Sequence, residues 1–245
     1  MSDIANHRRV NDILLGPLER PALKWLAAHM PAWVSPDTCT IVGILGAFLT
    51  MLSYILSNYE RDFLWLAFLG FFINWLGDSL DGTLARTRHI ERPIFGFFID
   101  HTVDGFVAVL IFLGLGLSPQ VSFSAACLAL IGYLLLSVLV YVQTSAVGEF
   151  KISFGRLGPT EIRAVAILLN TAMYFGKAGS YSLSLVPMGV ISFSIYDVLV
   201  SGLALLLFGF AITRALKQTI RLKNIDGEKV RAPSNQPVGR TESGE

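Results

Sequence analysis

The sequence predicts an all-α integral membrane protein: a bundle of six transmembrane helices preceded by an amphipathic helix at the membrane interface. Of the 245 residues, 53% are hydrophobic and only 15% are charged, whereas soluble domains carry about 25% charged residues. Six apolar runs also follow one another, each close to the ~20 residues that a helix needs to cross a bilayer core. These observations exclude an ordinary soluble domain.

The first 34 residues precede the spans. Residues 1–12 are polar, and we expect them to be mobile. Over 13–34, apolar side chains are interspersed with charged ones and with prolines, so this segment is unsuited to crossing a membrane. An amphipathic helix lying on the cytoplasmic leaflet fits the pattern. A short solvated helix packed on the bundle is the alternative.

The remaining chain divides into spans and a tail. We predict one transmembrane domain over 35–221 and a disordered cytoplasmic tail over 222–245, which is polar and lacks apolar periodicity. The fifth span is the least regular because Arg163 and Asn170 interrupt it. The link 178–193 is either an extension of that helix or a re-entrant loop. The predicted spans are 37–57, 63–83, 95–117, 121–142, 161–177 and 194–214.

Basic residues predict the orientation. With both termini cytoplasmic, only two of the 19 Lys and Arg residues, Arg61 and Lys177, fall on the outer side. Cytoplasmic loops are enriched in Lys and Arg, so we expect a multi-pass protein of a bacterial inner membrane with this orientation. The two cysteines, Cys39 and Cys127, lie within predicted spans and are interpreted as buried thiols rather than a disulfide.

Four aspartates stand at the cytoplasmic ends of the second and third spans. Asp78 and Asp81 are three residues apart and Asp100 and Asp104 are four apart, so each pair shares one helix face. A charge at membrane depth costs ~2.5–3.5 kcal/mol on insertion scales and is usually paired, metal-bound or directed at a cavity. Four facing carboxylates would repel unless they were protonated or cations bridged them, and hard oxygen ligands suit Mg²⁺ or Mn²⁺.

These aspartates belong to a longer pattern. It reads Asp78-Ser-Leu-Asp81-Gly82-Thr-Leu-Ala85-Arg86 and, nine residues later, Gly96-Phe-Phe-Ile-Asp100-His-Thr-Val-Asp104. The stretch resembles the signature of the CDP-alcohol phosphotransferase family, Asp-x2-Asp-Gly-x2-Ala-Arg-x9-Gly-x3-Asp-x3-Asp, and every fixed position is filled. The resemblance implies an enzyme that transfers a substituted phosphate group from a CDP-linked donor to an alcohol and releases CMP, with one lipidic substrate.

The resemblance also implies roles for the aspartates. Asp78, Asp81 and Asp100 would bind metal, two ions of Mg²⁺ or Mn²⁺, with Asp104 near them. Asp104 would be the catalytic general base on the acceptor hydroxyl. Two divalent ions would neutralise the donor pyrophosphate and orient it for in-line attack. A base beside divalent cations stays ionised, which agrees with that role.

Residues around the aspartates are candidates for the nucleotide. Gly82 and Ala85 are small enough to admit it, although small residues also serve helix packing in membranes. The forked guanidinium of Arg86 suits a phosphate, with a cytoplasmic flank as the alternative. Thr40, near the start of the first span, is a candidate for the cytidine site or a plain helix cap. Asp37 stands where relatives usually have Asn.

Further residues are candidates for the substrate site. Gly96 would let the third span approach the metals. His101 lies in a segment similar to the Phe-Asp-His-x-x-Asp form of choline and ethanolamine phosphotransferases, and it either sits in the site or is hydrogen-bonded at a helix start. Lys151, Arg156 and Arg163 would form a second phosphate-binding patch for a lipid headgroup, with simple cytoplasmic flanks as the alternative. CDP-diacylglycerol with a small polar alcohol is the favoured substrate pair, and a CDP-aminoalcohol with diacylglycerol is the alternative.

Two other functions compete. An aspartate-rich intramembrane prenyltransferase would need a second copy of Asn74-x-x-x-Asp78, and none follows. An ion or proton-coupled transporter would place its acidic groups near the bilayer midplane rather than at the end of a span. The expected partners are therefore a CDP-linked donor, a lipid and the membrane. Family members form homodimers, and whether this chain does so is left open. Nucleic acid is not an expected partner.

Overall fold

The computed structural model describes residues 16–147, 159–176, 180–185 and 189–231. A single 3₁₀ turn, Arg61–Phe63, precedes the third helix. The whole of the predicted mobile N-terminus, 1–12, and the end of the predicted tail, 232–245, lie outside the described residues. The described helices are α1 (Gly16–His29), α2 (Pro36–Leu56), α3 (Leu64–Thr87), α4 (Pro93–Gly116), α5 (Phe123–Val147), α6 (Pro159–Phe175) and α7 (Ile195–Arg231).

Five of these helices are long and apolar enough to cross a membrane: α2, α3 with the turn before it, α4, α5 and α7. This confirms a predominantly helical integral membrane protein. The sixth predicted span corresponds to α6, which has 17 residues and falls in the class of shorter apolar helices. At the other boundary, α7 runs on to Arg231, so helix covers the first part of the tail that was expected to be disordered.

The short helix α6 lies antiparallel to α3. Near its start, Arg163 Nε donates to Asn74 Oδ1 at 3.0 Å. Near its end, Asn170 Nδ2 donates to the carbonyl oxygen of Leu64 at 3.0 Å. Residues later in α6 therefore contact residues earlier in α3, as expected for antiparallel helices. Although α6 is short, it follows the apolar part of α3 from the level of the aspartates back to its first residue.

The described residues of the link 178–193 form a β-hairpin, so the predicted helix extension was wrong, whereas the re-entrant alternative concerns the position in the membrane and stays a prediction. Strands β1 (Ser180–Leu185) and β2 (Gly189–Ser194) pair antiparallel, with Ser180 opposite Ser194 and Leu185 opposite Gly189. The sequence of β1 alternates serine with tyrosine or leucine. That period of two is typical of a strand and not of a helix.

Two buried clusters hold the helices together. The distal core includes residues from each of the helices α2 to α7, most of them nearer to the α2–α3 turn than the aspartates are. The proximal core packs α1 against the start of α2 and the end of α3. The distal core includes Tyr54, Phe71, Leu115, Ala126, Met173 and Val200. The proximal core comprises Leu23, Ala27, Val34, Cys39, Leu80 and Leu84.

The helix α1 is amphipathic, as expected. It buries Leu23 and Ala27, while Leu18 and Trp25 are 79% and 62% exposed. Apolar side chains on an outer helix face are what an interfacial helix requires, and its position on a bilayer stays a prediction. Both cysteines are free, Cys39 buried and Cys127 half-buried, which agrees with the interpretation as thiols.

Glycines bring α2 and α3 into backbone contact. A Cβ atom on Gly77 would lie 2.5 Å from the carbonyl oxygen of Cys39 and 2.6 Å from the Cα of Gly43, and one on Gly46 would lie 2.8 Å from the carbonyl oxygen of Gly70. Small residues permit such an approach between membrane helices. Because the backbones touch here, short side chains one turn further along can meet across the interface.

Candidate functional site

One small cavity gathers the predicted metal-binding residues. Asp78 and Asp81 from α3 and Asp100 and Asp104 from α4 all line it. Its volume is about 10 Å³, roughly that of a single water-sized sphere. An ion or a water molecule fits such a space, whereas a nucleotide would have to lie outside its mouth. The other lining residues are Thr40, Gly43, Asn74, Val103 and Val107.

Asp81 is fixed by two hydrogen bonds. Thr40 Oγ1 lies 2.8 Å from Asp81 Oδ2 and donates to it, and the backbone N–H of Gly82 donates to Oδ1 at 2.5 Å. Thr40 Oγ1 also lies 3.2 Å from the carbonyl oxygen of Pro36. Ser35, not Thr40, caps α2, because its hydroxyl accepts from the amide of Thr38. The structure therefore places Thr40 in the aspartate cluster.

Asp78 is held by a residue of α6 for which the sequence predicted either a phosphate-binding patch or a cytoplasmic flank, and not this contact. Arg163 lies with one terminal nitrogen 2.8 Å from Asp78 Oδ2, and its Nε donates to Asn74 Oδ1 at 3.0 Å. Asn74 in turn donates to the carbonyl oxygen of Gly43 at 3.0 Å. Arg163 also interacts electrostatically with Asp104. The sequence signal for it was a charge interrupting an apolar run, which usually marks a functional or paired group.

Glu19 of α1 is a residue that the sequence analysis did not propose for the site. Its Oε1 accepts from Trp75 Nε1 at 3.2 Å and from Ser79 Oγ at 3.1 Å. Its Oε2 accepts from Thr160 Oγ1 at 3.0 Å. Glu19 thus joins α1 to α3 and α6 beside the aspartates. A lone glutamate in an amphipathic segment gives no sign of such a role in the sequence.

The predicted nucleotide residues of α3 lie beyond the cavity. Gly82, Ala85 and Arg86 follow Asp81 toward the end of α3, and among the described residues they do not belong to the cavity lining. Arg86 donates to Thr83 Oγ1 at 3.2 Å, and a Cβ on Gly82 would lie 3.2 Å from the Arg86 guanidinium. Their contact with a nucleotide stays a prediction.

Of the predicted substrate residues, the structure describes Gly96 and His101, and neither of these two lines the cavity. His101 Nδ1 lies 2.7 Å from the carbonyl oxygen of Phe97, and its ring stacks on Phe97 at 4.3 Å and meets Tyr141 edge-on at 5.2 Å. These contacts agree with the hydrogen-bonded alternative, although His101 lies within α4 rather than at its start, and a role in the substrate site stays a prediction. No described atom lies within 4 Å of a Cβ on Gly96, so packing within this part of the chain does not account for that glycine. Lys151 and Arg156 lie outside the described residues.

The donor set of the cavity fits a divalent ion, although its present pairing does not form a coordination shell. In the described part of the chain, no three His, Cys, Asp or Glu side chains are arranged to hold one ion. The pairing explains this, since Asp78 faces Arg163 and Asp81 faces Thr40. Carboxylate oxygens around a cavity of ionic size remain the ligands that Mg²⁺ or Mn²⁺ prefers. The residues that would hold it are Asp78, Asp81, Asp100 and Asp104.

Comparison with known proteins decides the family. Residues 33–196 match the sequence model of the CDP-alcohol phosphatidyltransferase family. The chain belongs to this family. The matched region runs from Trp33 to Tyr196. It contains every residue that lines the cavity of this CDP-alcohol phosphatidyltransferase family member.

Individual relatives agree with the family. Cholinephosphotransferase 1 of Gallus gallus is 30% identical over 200 residues, which are 76% of this chain and 58% of the relative. The Mus musculus protein of the same name is 27% identical over 71% of this chain and 45% of its own length. An uncharacterized protein of Aquifex aeolicus is 38% identical over 87 residues, 34% of this chain and 39% of its own. The chain therefore spans about half the length of the cholinephosphotransferases it matches.

Proposed function

We propose that this chain is a membrane enzyme of phospholipid synthesis that transfers a substituted phosphate group from a CDP-linked donor to an alcohol and releases CMP. The observation that carries the proposal is the single cavity lined by all four signature aspartates. Family membership supports the reaction class. The cavity is ion-sized, which supports a site that binds metal inside and the donor phosphates at its mouth.

Three of the four aspartates are placed to hold ions between α3 and α4. Asp78 and Asp81 lie on α3, and Asp100 faces them from α4, so the three can hold ions between the two helices. Bound Mg²⁺ or Mn²⁺ would neutralise the donor pyrophosphate and stabilise the departing CMP. Thr40 and the Gly82 amide fix the Asp81 carboxylate before any ligand arrives, which limits the reorganisation needed on binding.

Asp104 is the proposed general base. It lies one helical turn beyond Asp100, further from the cytoplasmic end of α4, beside the apolar cavity residues Val103 and Val107. An acceptor hydroxyl approaching from the membrane would meet this carboxylate first. Asp104 takes the hydroxyl proton as its oxygen bonds to phosphorus, and the phosphorus–oxygen bond to CMP breaks.

Two substrate pairs are candidates. The similarity to cholinephosphotransferases supports a CDP-aminoalcohol donor with diacylglycerol as acceptor. CDP-diacylglycerol with a small polar alcohol, favoured by the sequence pattern, uses the same carboxylates and is the second candidate. In both pairs one substrate carries acyl chains that lie in the bilayer and the other substrate is water-soluble.

We also propose six crossings with the site and both termini cytoplasmic. At 1.5 Å per residue, α6 is about 26 Å long, against a hydrocarbon core of ~30 Å. Its antiparallel course along α3, from Asn74 to Leu64, supports counting it as a span. Lateral entry of the lipid follows, because withdrawing an acyl chain from the bilayer would cost ~0.8 kcal/mol per CH₂.

Release of CMP tests the reaction. Purified protein would be supplied with each CDP-linked donor and alcohol in turn, with Mg²⁺ or Mn²⁺, and lipid products would be identified by mass. We expect one pair to release CMP, chelation to abolish the release, and added Mg²⁺ or Mn²⁺ to restore it. Full activity in excess chelator would contradict the metal-dependent mechanism, and no release from any pair would contradict the proposal.

Cysteine labelling tests the orientation. In a Cys127→Ser background, we would compare Thr87→Cys at the end of α3 with Tyr59→Cys between α2 and α3; both positions are exposed. A membrane-impermeant thiol reagent should modify Thr87→Cys only in inside-out vesicles and Tyr59→Cys only in sealed cells. The reverse pattern would overturn the proposed orientation.

A further inference from the structure

Arg163 is a cation that the structure places inside the aspartate cluster. It lies 2.8 Å from Asp78 Oδ2, and the side chains of Arg163 and Asp78 are 13% and 23% exposed. Removing one partner of such a pair leaves a buried charge uncompensated, which is strongly unfavourable. Arg163 can therefore leave Asp78 only if other charges compensate both groups.

A divalent ion on Asp78 would create that situation. The ion and the guanidinium would compete for the same small carboxylate, and two cations at such short range repel each other. The ion compensates Asp78 when it binds. Arg163 then needs a new anion, or metal binding is weakened by the repulsion.

Asn74 limits where Arg163 can turn. It accepts from Arg163 Nε at 3.0 Å and donates to the carbonyl oxygen of Gly43 at 3.0 Å, and it is only 1% exposed. Because Nε–H lies in the plane of the guanidinium, the terminal nitrogens can leave Asp78 only if the whole planar group turns about its contact with Asn74 or gives that contact up. These nitrogens form the planar fork with which arginine binds phosphate oxygens in pairs.

We propose that Arg163 is a positioning residue that exchanges partners: it pairs with Asp78 until a divalent ion takes that carboxylate, and then donates to a phosphate oxygen of the CDP-linked donor. The inference rests on the proposed function and adds the order in which the metal and the donor phosphate bind. Metal releases Arg163 for the phosphate, and the phosphate prevents its return to Asp78. Metal and nucleotide therefore bind with positive coupling, which is reciprocal.

Metal affinity, measured without turnover, tests the exchange. Free Mn²⁺ would be followed by electron paramagnetic resonance with the full chain in detergent, with and without CDP, and corrected for the Mn²⁺–CDP complex in solution. For the unaltered protein we expect CDP to tighten Mn²⁺ binding about 5-fold or more. For Arg163→Met we expect Mn²⁺ alone to bind more tightly and the CDP effect to fall below about 2-fold.

Two further variants complete the test, one that keeps the charge of Arg163 and one that serves as a control. Arg163→Lys retains the charge but cannot hold Asn74 and Asp78 together, so we expect an intermediate CDP effect; it carries the test if Arg163→Met does not fold. Tyr174→Phe removes the hydrogen bond from Tyr174 to Asp62 near the other end of α6. This matched control should leave both Mn²⁺ affinity and the CDP effect unchanged.

The outcomes separate the inference from the function beneath it. Weaker Mn²⁺ binding by Arg163→Met with an intact CDP effect would make Arg163 a structural brace and overturn the exchange alone. Inorganic pyrophosphate should reproduce the CDP effect, and an effect obtained with cytidine instead would also overturn it. If the unaltered protein bound no Mn²⁺ under any condition, the proposed metal site itself would fail, and the exchange with it.

Discussion

The two ends of the helix bundle differ in what pairs their carboxylates. At the distal end, Asp197 accepts from the backbone amides of Ser122 at 2.6 Å and Ser194 at 2.7 Å, next to the starts of α5 and α7. At the aspartate end, Asp78 is paired with the side chain of Arg163. A ligand can replace a side-chain partner, whereas it cannot replace a helix end.

Side-chain packing also differs between the distal end and the aspartate end. The buried residues of α4 begin at Val107, beyond both of its aspartates. Earlier in the helix, Ile94 and Phe98 are 68% and 63% exposed. The distal core therefore anchors α4 by its second half and leaves the first half, which carries Asp100 and Asp104, with few neighbours in the described chain. Functional elements are commonly drawn from such weakly packed regions, and the variants below test this division.

The largest effect is expected from the aspartates themselves. Asp104→Asn should lower turnover about 10²–10⁴-fold, the usual contribution of a general base, yet keep metal-dependent nucleotide binding. Asp81→Asn should lose both, because it removes charge from the ions. CMP release and Mn²⁺ binding measure the two properties. Asp62→Asn at the distal end is the control, and near-normal turnover by Asp104→Asn would contradict its role.

The opposite pattern is expected in the distal core. Leu64 is fully buried, so Leu64→Ala should lower the free energy of unfolding by about 2–5 kcal/mol through lost contacts and a cavity. Turnover per folded molecule should stay unchanged. Denaturation in detergent measures the first quantity. Leu205→Ala, on a side chain 73% exposed, is the matched control, and an equal loss there would erase the distinction between core and lipid-facing leucines.

Glycine substitutions should have a smaller effect that depends on position. Gly77→Ala would press a methyl group against the backbone of α2, and overpacking of this kind costs about 1–3 kcal/mol. It should also reduce Mn²⁺ affinity, since Asp78 is the next residue. Gly202→Ala meets no described atom within 4 Å and should be neutral or slightly stabilising. Similar losses from both variants would argue against the close α2–α3 contact.

The smallest effect is expected at Thr40. Thr40→Val removes the hydroxyl that orients Asp81 and should weaken Mn²⁺ binding about 10-fold, equivalent to ~1.4 kcal/mol. Thr171→Val removes a hydroxyl that bonds only to the carbonyl oxygen of Ile167 within α6 and should leave Mn²⁺ binding unchanged. Titration of both variants with Mn²⁺ decides the point, and equal affinities would remove Thr40 from the site.

Hydropathy located most of the helices because membrane crossing imposes a length that the sequence must meet. The prediction 95–117 compares with Pro93–Gly116 for α4, and 161–177 with Pro159–Phe175 for α6. The β-hairpin was missed because its overall apolar character was weighed above its alternation. In Ser180–Leu185 that alternation was visible in the sequence.

The site was predicted less completely than the helices. The signature spacing led to the four aspartates, and Thr40 was found through its place in the first span. The pairing of Arg163 with Asp78 was not predicted, because a basic residue near a cytoplasmic helix end satisfies the positive-inside pattern whether or not it pairs with a carboxylate. Which helices lie side by side is a property of three-dimensional packing, and the Asn74–Arg163 contact depends on it.

The pairing of α3 with α6 means that α3 is synthesised before the helix that supplies its arginine partner. Asn74 and Arg163 are 89 residues apart, so at 5–20 residues per second the ribosome needs about 4–18 s to supply the arginine after the asparagine. During that interval α3 enters the membrane with Asp78 lacking its guanidinium partner. We expect α3 to integrate less efficiently in chains truncated before α6 than in chains that include it, and glycosylation mapping of such truncations would measure the difference.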